Sequence, residues 1–331
     1  MAGNTATRTY TIKKRKIPKV GEIVSYTPDT PSTGYDLSTA KSGYSSAQTI
    51  DKTYDPTTWK IMEVDENGNI TKLFGVPSSS QSTVYFRGAT GYNNGVYLLN
   101  DICKSRYGNA SLGATARSLN IEDIESRMNA TGIAARNAYK DGTTQYGTTK
   151  TFTGISAKYP AIYAQEKYSG VDVSNVTAGS QVITGSVDAT AQARMNPNGK
   201  SGSDDIYTTL PESSETTGPS KTNLTCTQTY YKFDSTPSSY FDDSNFYSMI
   251  FGTGTYFWLA SRCVNCNSSS SYAFFGLRSV NSSILRGTFL FFSRGGSNSS
   301  DDRLAPVVSL GSGVQVKNGS GTESDPYAIG K

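Results

Sequence analysis

Two cysteines three residues apart, Cys263-Val264-Asn265-Cys266, have the spacing of zinc knuckles and dithiol redox motifs. A structural zinc site takes four ligands, yet the other two cysteines, Cys103 and Cys226, lie far off in a chain with no histidine. The pair therefore reads as incidental surface thiols or one local disulfide. The absence of histidine also removes every Ser-His-Asp and Cys-His catalytic arrangement. A calcium cage needs several carboxylate oxygens. No Glu occurs between Glu215 and Glu323, so Asp301-Asp302 reads as part of a solvated loop or as a partner for Arg303, and Asp242-Asp243 as equally bland. No catalytic residue, metal or cofactor is expected.

What remains is the chemistry of recognition. Irregular stretches around residues 265–274, 281–286 and 293–302 mix aromatic, Ser, Asn, Arg and Gly residues, the vocabulary of antibody loops. Aromatic rings give large contact areas at little entropic cost, Asn and Ser give adaptable hydrogen bonds, and Arg gives directional charge. The candidate ligand-binding residues are Asn265, Asn267, Tyr272, Phe274, Ser283, Arg286, Phe289, Phe291, Ser293, Arg294, Ser297, Asn298, Ser300 and Asp301.

The same region has a gap in composition. From Leu259 to Val314, 56 residues, there is no Lys, Glu, Gln, Met or Trp, although the chain holds 18 Lys, 9 Glu and 8 Gln. At that average the window would contain about six of the last three types. Every residue type present in it is reachable by changing the adenines of an AAC or AAT codon, and Lys, Glu, Gln, Met and Trp are not. Buried strands with Ser-rich loops would also shed long charged side chains, but five Arg remain in the window.

These residues need a framework. Trp59–Val64 and Ile70–Val76 flank Asn67-Gly68, a strong hairpin signal. Val96, Leu99, Ile102 and Cys103 recur at helical spacing over about 94–106, which makes Cys103 a buried small hydrophobe. A second helix is expected from an Asn120 N-cap, with Glu122 and Asp123 in its first turn, to about Asn129. Phe257-Trp258-Leu259-Ala260, Phe275-Gly276-Leu277, Val280 and Pro306-Val307-Val308 read as scaffold strands. Residues 28–56 read as loop with one edge strand at most, and about 136–250 as long insertions with strand candidates such as Gln181-Val182-Ile183.

At 331 residues the chain is long enough for a sizeable core, and a net charge of +4 with 18% charged residues argues against a nucleic-acid binder. Met1 to Val20 lacks the apolar stretch of a secretory signal, and no run of 18 apolar residues occurs, so no membrane insertion is expected. The organisation expected is a basic arm over 1–20, with Lys13-Lys14-Arg15-Lys16 as a docking segment for a virion partner, and one domain over 21–331.

Phe257-Trp258-Leu259-Ala260-Ser261-Arg262, Phe275-Gly276-Leu277-Arg278-Ser279-Val280-Asn281 and Pro306-Val307-Val308-Ser309-Leu310 resemble a family of surface proteins from Gram-positive gut bacteria and their phages. Gly91-Tyr92-Asn93-Asn94-Gly95-Val96-Tyr97-Leu98-Leu99-Asn100 and Ala114–Ile121 extend the likeness upstream. The C-terminal part is similar to the variable proteins of diversity-generating retroelements, in which a reverse transcriptase introduces adenine-directed changes. The resemblance implies an α+β, C-type lectin-like fold of twisted antiparallel sheets, two helices and long loop insertions, with a variable region at 259–305. It implies a non-enzymatic protein that binds a host-surface protein or glycan receptor, on a virion surface or otherwise extracellular, with homotrimers or arrays adding avidity. A bacterial cell-surface adhesin or pilin-like subunit lacking its anchor is the alternative. The tail, 318–327, is expected to pack Tyr327 on the sheet.

Overall fold

A computed structural model of the chain describes residues 17–158, 220–266, 273–293 and 296–331. In chain order the strands are β1 Ile23–Ser25, β2 Tyr35–Leu37, β3 Gln48–Ile50, β4 Thr58–Val64, β5 Ile70–Val76, β6 Val84–Arg87, β7 Thr115–Ser118, β8 Lys140–Asp141, β9 Thr144–Gln145, β10 Thr149–Lys158, β11 Ser220–Thr227, β12 Tyr256–Asn265, β13 Phe274–Asn281, β14 Ile284–Phe292, β15 Ser299–Asp302, β16 Pro306–Ser309, β17 Gln315–Asn318 and β18 Tyr327–Gly330. The helices are α1 Thr39–Ser42, α2 Gly88–Tyr107, α3 Ile121–Glu125, α4 Ala130–Ala138 and α5 Ser244–Phe251. The class is mixed α+β, mostly sheet.

A seven-stranded sheet runs β17-β18-β1-β4-β5-β16-β7, with β1 and β18 parallel and the other pairs antiparallel. Its β4–β5 hairpin forms where the Asn-Gly signal put it. Asp65 accepts from the amides of Asn67 and Asn69, and Gly68 takes the left-handed conformation that closes the turn. A second, three-stranded antiparallel sheet, β12-β13-β14, comes entirely from residues 256–292.

Helix α2 packs between these sheets. Val96, Leu98, Leu99, Ile102 and Cys103 are buried with Trp59, Ile61 and Leu73 from the larger sheet and Trp258, Ala260 and Leu277 from the smaller one. A helix apolar on most of its faces is what such an interior position requires. Arg106 closes its C-terminal turn with a two-pronged ion pair to Asp55, at 2.8 and 2.9 Å from Nη2, and donates to the Ile50 carbonyl at 2.8 Å. Cys103 is fully buried, as its spacing implies.

The Asn120 cap is present as a full capping box with Asp123, each side chain accepting from the other residue's amide. The helix it starts stops at Glu125, short of the expected Asn129, because Asn129 caps the separate helix α4. Helices α4 and α5 depart from the two-helix expectation. Asp243, read as bland, caps α5 by accepting from the amides of Asn245 and Phe246.

Two further expectations are corrected. Residues 28–56 hold the β2–β3 hairpin, with Leu37 and Ile50 fully buried. Within the expected insertion, residues 228–250 supply core side chains: Tyr231, Phe241, Phe246, Met249 and Ile250 pack with Met62, Phe74, Leu119, Ile124, Phe257, Leu259 and Val280. Gln181-Val182-Ile183 and Lys13–Lys16 lie outside the described residues. Tyr327 is buried as expected, its hydroxyl donating to Glu22 at 3.1 Å. Among the described residues, no helix is long and apolar enough to cross a membrane.

Candidate functional site

The window without Lys, Glu, Gln, Met or Trp builds most of the β12-β13-β14 sheet together with β15 and β16. Strand alternation sends its side chains to two covered faces. Trp258, Ala260, Leu277 and Leu290 meet the α2 side, and Leu259, Val280 and Leu285 meet the α5 side. Trp258 is fully buried and its indole nitrogen donates to the Val84 carbonyl at 2.8 Å. Arg278 is also buried, its guanidinium 4.1 Å from the Tyr231 ring centroid and donating to the Tyr231 carbonyl at 3.1 Å. At this position a flat, weakly hydrated cation stacks on an aromatic face inside the fold, a role arginine fills better than lysine.

Several candidate binding residues are interior. Phe291 is fully buried against Phe275, with ring centroids 6.1 Å apart. Ser293 is fully buried, and its hydroxyl accepts from the Ala273 amide at 2.8 Å, closing the end of the β13–β14 pair. Asn265 is 4% exposed and donates to Asp141. These three are corrected to framework positions, since a side chain held by the core offers little to a ligand. Phe274 and Phe289 are half-buried in an aromatic run, with Phe289 5.0 Å from Phe274 and 5.1 Å from Tyr230.

The cysteine pair is not at the surface. Cys263 is a buried free thiol, pushed up to about 12 by burial with Arg278 opposing, so it is neither a surface thiol nor half of a local disulfide. Cys266 is buried too. Gly287 makes the space for Cys263, because a Cβ there would lie 2.5 Å from its sulfur and 2.8 Å from the Tyr230 ring. Among the described residues, no three Cys, Asp or Glu side chains gather to hold a metal ion.

The accessible part is a strip. Ser283 is exposed in the β13–β14 turn, at Asn281–Ile284, where Ser282 has a left-handed φ of 51°. Arg286 lies 5.4 Å from the ring centroid of Tyr256, a residue 44% exposed, and donates to the Ser279 hydroxyl at 3.3 Å; that hydroxyl also meets Thr288 at 3.0 Å. The chain then leaves β14, bridges Ser297 to Phe291, and pairs β15 with β6 in the register Ser299 to Arg87 through Asp302 to Val84. Asn298 and Asp301 are exposed, and Ser297 and Ser300 are half-buried. Arg87 donates to Ser297 at 3.3 Å and Thr83 to Asp301 at 2.9 Å. Asn267, Tyr272 and Arg294 lie outside the described residues.

Asp302, expected in a solvated loop, is 1% exposed. Burial pushes its carboxyl up to about 7, Asp301 adds to this, and Arg286, Arg303 and the Ser279 hydroxyl oppose it.

No protein-family model, curated protein or solved structure matches the chain. The strip therefore has to be read from its own chemistry. It offers an aromatic ring, a guanidinium, hydroxyls, an amide and a carboxylate across two sheets, with the backbone under it fixed by buried neighbours. Tyr256, Thr288, Thr83 and Arg87 escaped the sequence reading. Tyr256 precedes the compositional window, and Thr83 and Arg87 reach the strip only through the β6–β15 pairing, which joins residues more than 200 positions apart.

Proposed function

We propose that the protein is a non-enzymatic recognition protein whose diversified surface binds a host receptor from a phage particle. Its fold is then C-type lectin-like, a reading supported by the long helix between two sheets and by the parallel neighbours β1 and β18. The single observation that carries the function is an overlap. The stretch lacking every residue type unreachable from an AAC or AAT codon, residues 259–314, also supplies most of the β12–β14 framework and, apart from Tyr256, Thr83 and Arg87, the accessible residues of the strip. Interior positions such as Phe291 and Gly287 would be kept, and outward ones such as Ser283, Arg286, Asn298 and Asp301 exchanged. Affinity would come from Arg286 and its aromatic neighbour, tuned by the Ser and Asn residues.

The experiment is deep sequencing of the gene from a growing population. Differences concentrated at first and second codon positions in 259–314, replacing adenines and sparing the codons of buried residues, support the proposal. Differences spread evenly along the gene, or none, overturn it.

A further inference from the structure

Beside the variable sheet, and outside the 259–314 window, Tyr139, Phe233, Pro237 and Tyr240 line an open concavity of about 580 Å³ whose rim carries Lys232, Asp234 and Ser235. A half-buried aromatic floor with a few polar groups at its edge is how small-ligand sites are built. The floor is fixed before any ligand arrives. Phe233 packs against Tyr231 at 5.4 Å and Tyr240 against Phe233 at 5.4 Å, the latter pair close to perpendicular at 71°. Thr236, buried under the loop, donates its amide to the Ser283 carbonyl at 2.8 Å and accepts from the Leu285 amide and, at its carbonyl, from the Tyr247 hydroxyl. The Tyr240 carbonyl accepts from the Asn129 amide at 2.9 Å. Gly132 of α4 lies so near that a Cβ would stand 2.8 Å from both the Cβ and the carbonyl oxygen of Tyr240. A site held this way loses little freedom on binding.

The lining selects its ligand class. The rim is balanced, one ammonium against one carboxylate, so it favours no net charge and gives a quaternary ammonium no net attraction beyond that of the aromatic walls. A pyranose ring matches both layers. Its C–H face lies on an aromatic floor, while the hydroxyls around it donate to Asp234 and accept from Lys232 and Ser235. We propose that this concavity is a carbohydrate subsite, constant where the neighbouring strip varies. It touches the β13–β14 turn through the Thr236–Ser283 bond, so one glycan chain or glycoprotein could span both. The subsite deepens the receptor reading by naming a sugar, but its residues lie outside the variable window, so its test stands or fails separately.

The test is saturation-transfer NMR and calorimetry of the full chain with the methyl glycosides of galactose, glucose, mannose and N-acetylglucosamine, with choline and a proline-rich peptide as competitors. At least one glycoside is expected to bind in the millimolar range, with transfer strongest at its C–H face. Asp234→Ala and Lys232→Ala, both at exposed positions, should weaken it at least tenfold without moving the melting temperature, and Tyr240→Ala should abolish it. If Tyr240→Ala unfolds, the Asp234 and Lys232 variants alone decide. Absence of binding by all four glycosides, preference for choline or the peptide, or binding unaffected by the Asp234 and Lys232 variants overturns the proposal.

Discussion

The indole nitrogen of Trp258 donates to the carbonyl of Val84 at 2.8 Å, and Val84 stands opposite Asp302 in the β6–β15 register. One buried side chain thus ties β12, an edge strand of the framework sheet, to β6, the strand whose partner carries Ser300 and Asp301. Trp258→Ala removes the largest fully buried side chain and leaves the Val84 carbonyl without this donor. A loss of about 3–5 kcal/mol is expected, read as a fall in the urea midpoint. Trp258→Phe should retain part of that stability, and equal melting of wild type and Trp258→Ala would contradict the assignment.

The Arg106–Asp55 pair joins α2 to the segment after β3, and Arg106 is 1% exposed. Removing one partner of a buried pair strands the other charge. Arg106→Met is therefore expected to destabilise the fold by about 3 kcal/mol, and Arg106→Met with Asp55→Leu by less than the single change. A double-mutant cycle with no coupling would sink this prediction.

Asp302 sets a pH dependence. Its carboxyl is raised to about 7 by burial, whereas the unfolded chain releases the proton near 4. Between these values the folded state holds more protons, so its contribution to stability falls as pH rises through the window and is flat above it. Asp302→Asn should flatten that slope and stabilise the protein at pH 8 by about 1–3 kcal/mol. Melting curves at pH 4.5, 6 and 8 check it; an unchanged slope in the variant contradicts it.

Thiol chemistry separates framework from surface as well. Cys103 and Cys263 are fully buried and their thiols are raised by burial, so iodoacetamide should leave both unmodified in the native protein and alkylate both in denaturant. Gly287→Ala should crowd the Cys263 sulfur, lower stability by about 1–3 kcal/mol and speed Cys263 alkylation. Rapid native labelling of Cys263 in the wild type would show that it is not interior.

The β4–β5 hairpin, the burial of Cys103, the Asn120 cap and the framework role of Trp258 were all legible, because each rests on local spacing or one strong turn signal. Helices α4 and α5 were not, because the surrounding Ser- and Thr-rich chain hides short periodic runs such as Phe246, Met249 and Ile250. The candidate strip was half legible. Composition marked the window, but whether Phe291 or Arg286 points outward depends on the irregularity that shifts the β13–β14 register between Phe275 and Gly276, and alternation alone cannot place it. Asp302 and Ser293 look like surface residues by type, and only the β6 pairing and the Ala273 contact take them inside.

The central claim, a fixed framework holding out replaceable side chains, is tested most directly by two codon-randomised libraries in the full chain, each scored for folding by protease resistance. One randomises Ser283, Arg286, Asn298 and Asp301; the other randomises Phe291, Ser293, Gly287 and Leu277. Most members of the first are expected to stay folded, within about 0.5 kcal/mol of the parent at each position, and most of the second to be lost. Comparable survival of the two libraries, or collapse of the first, contradicts the account.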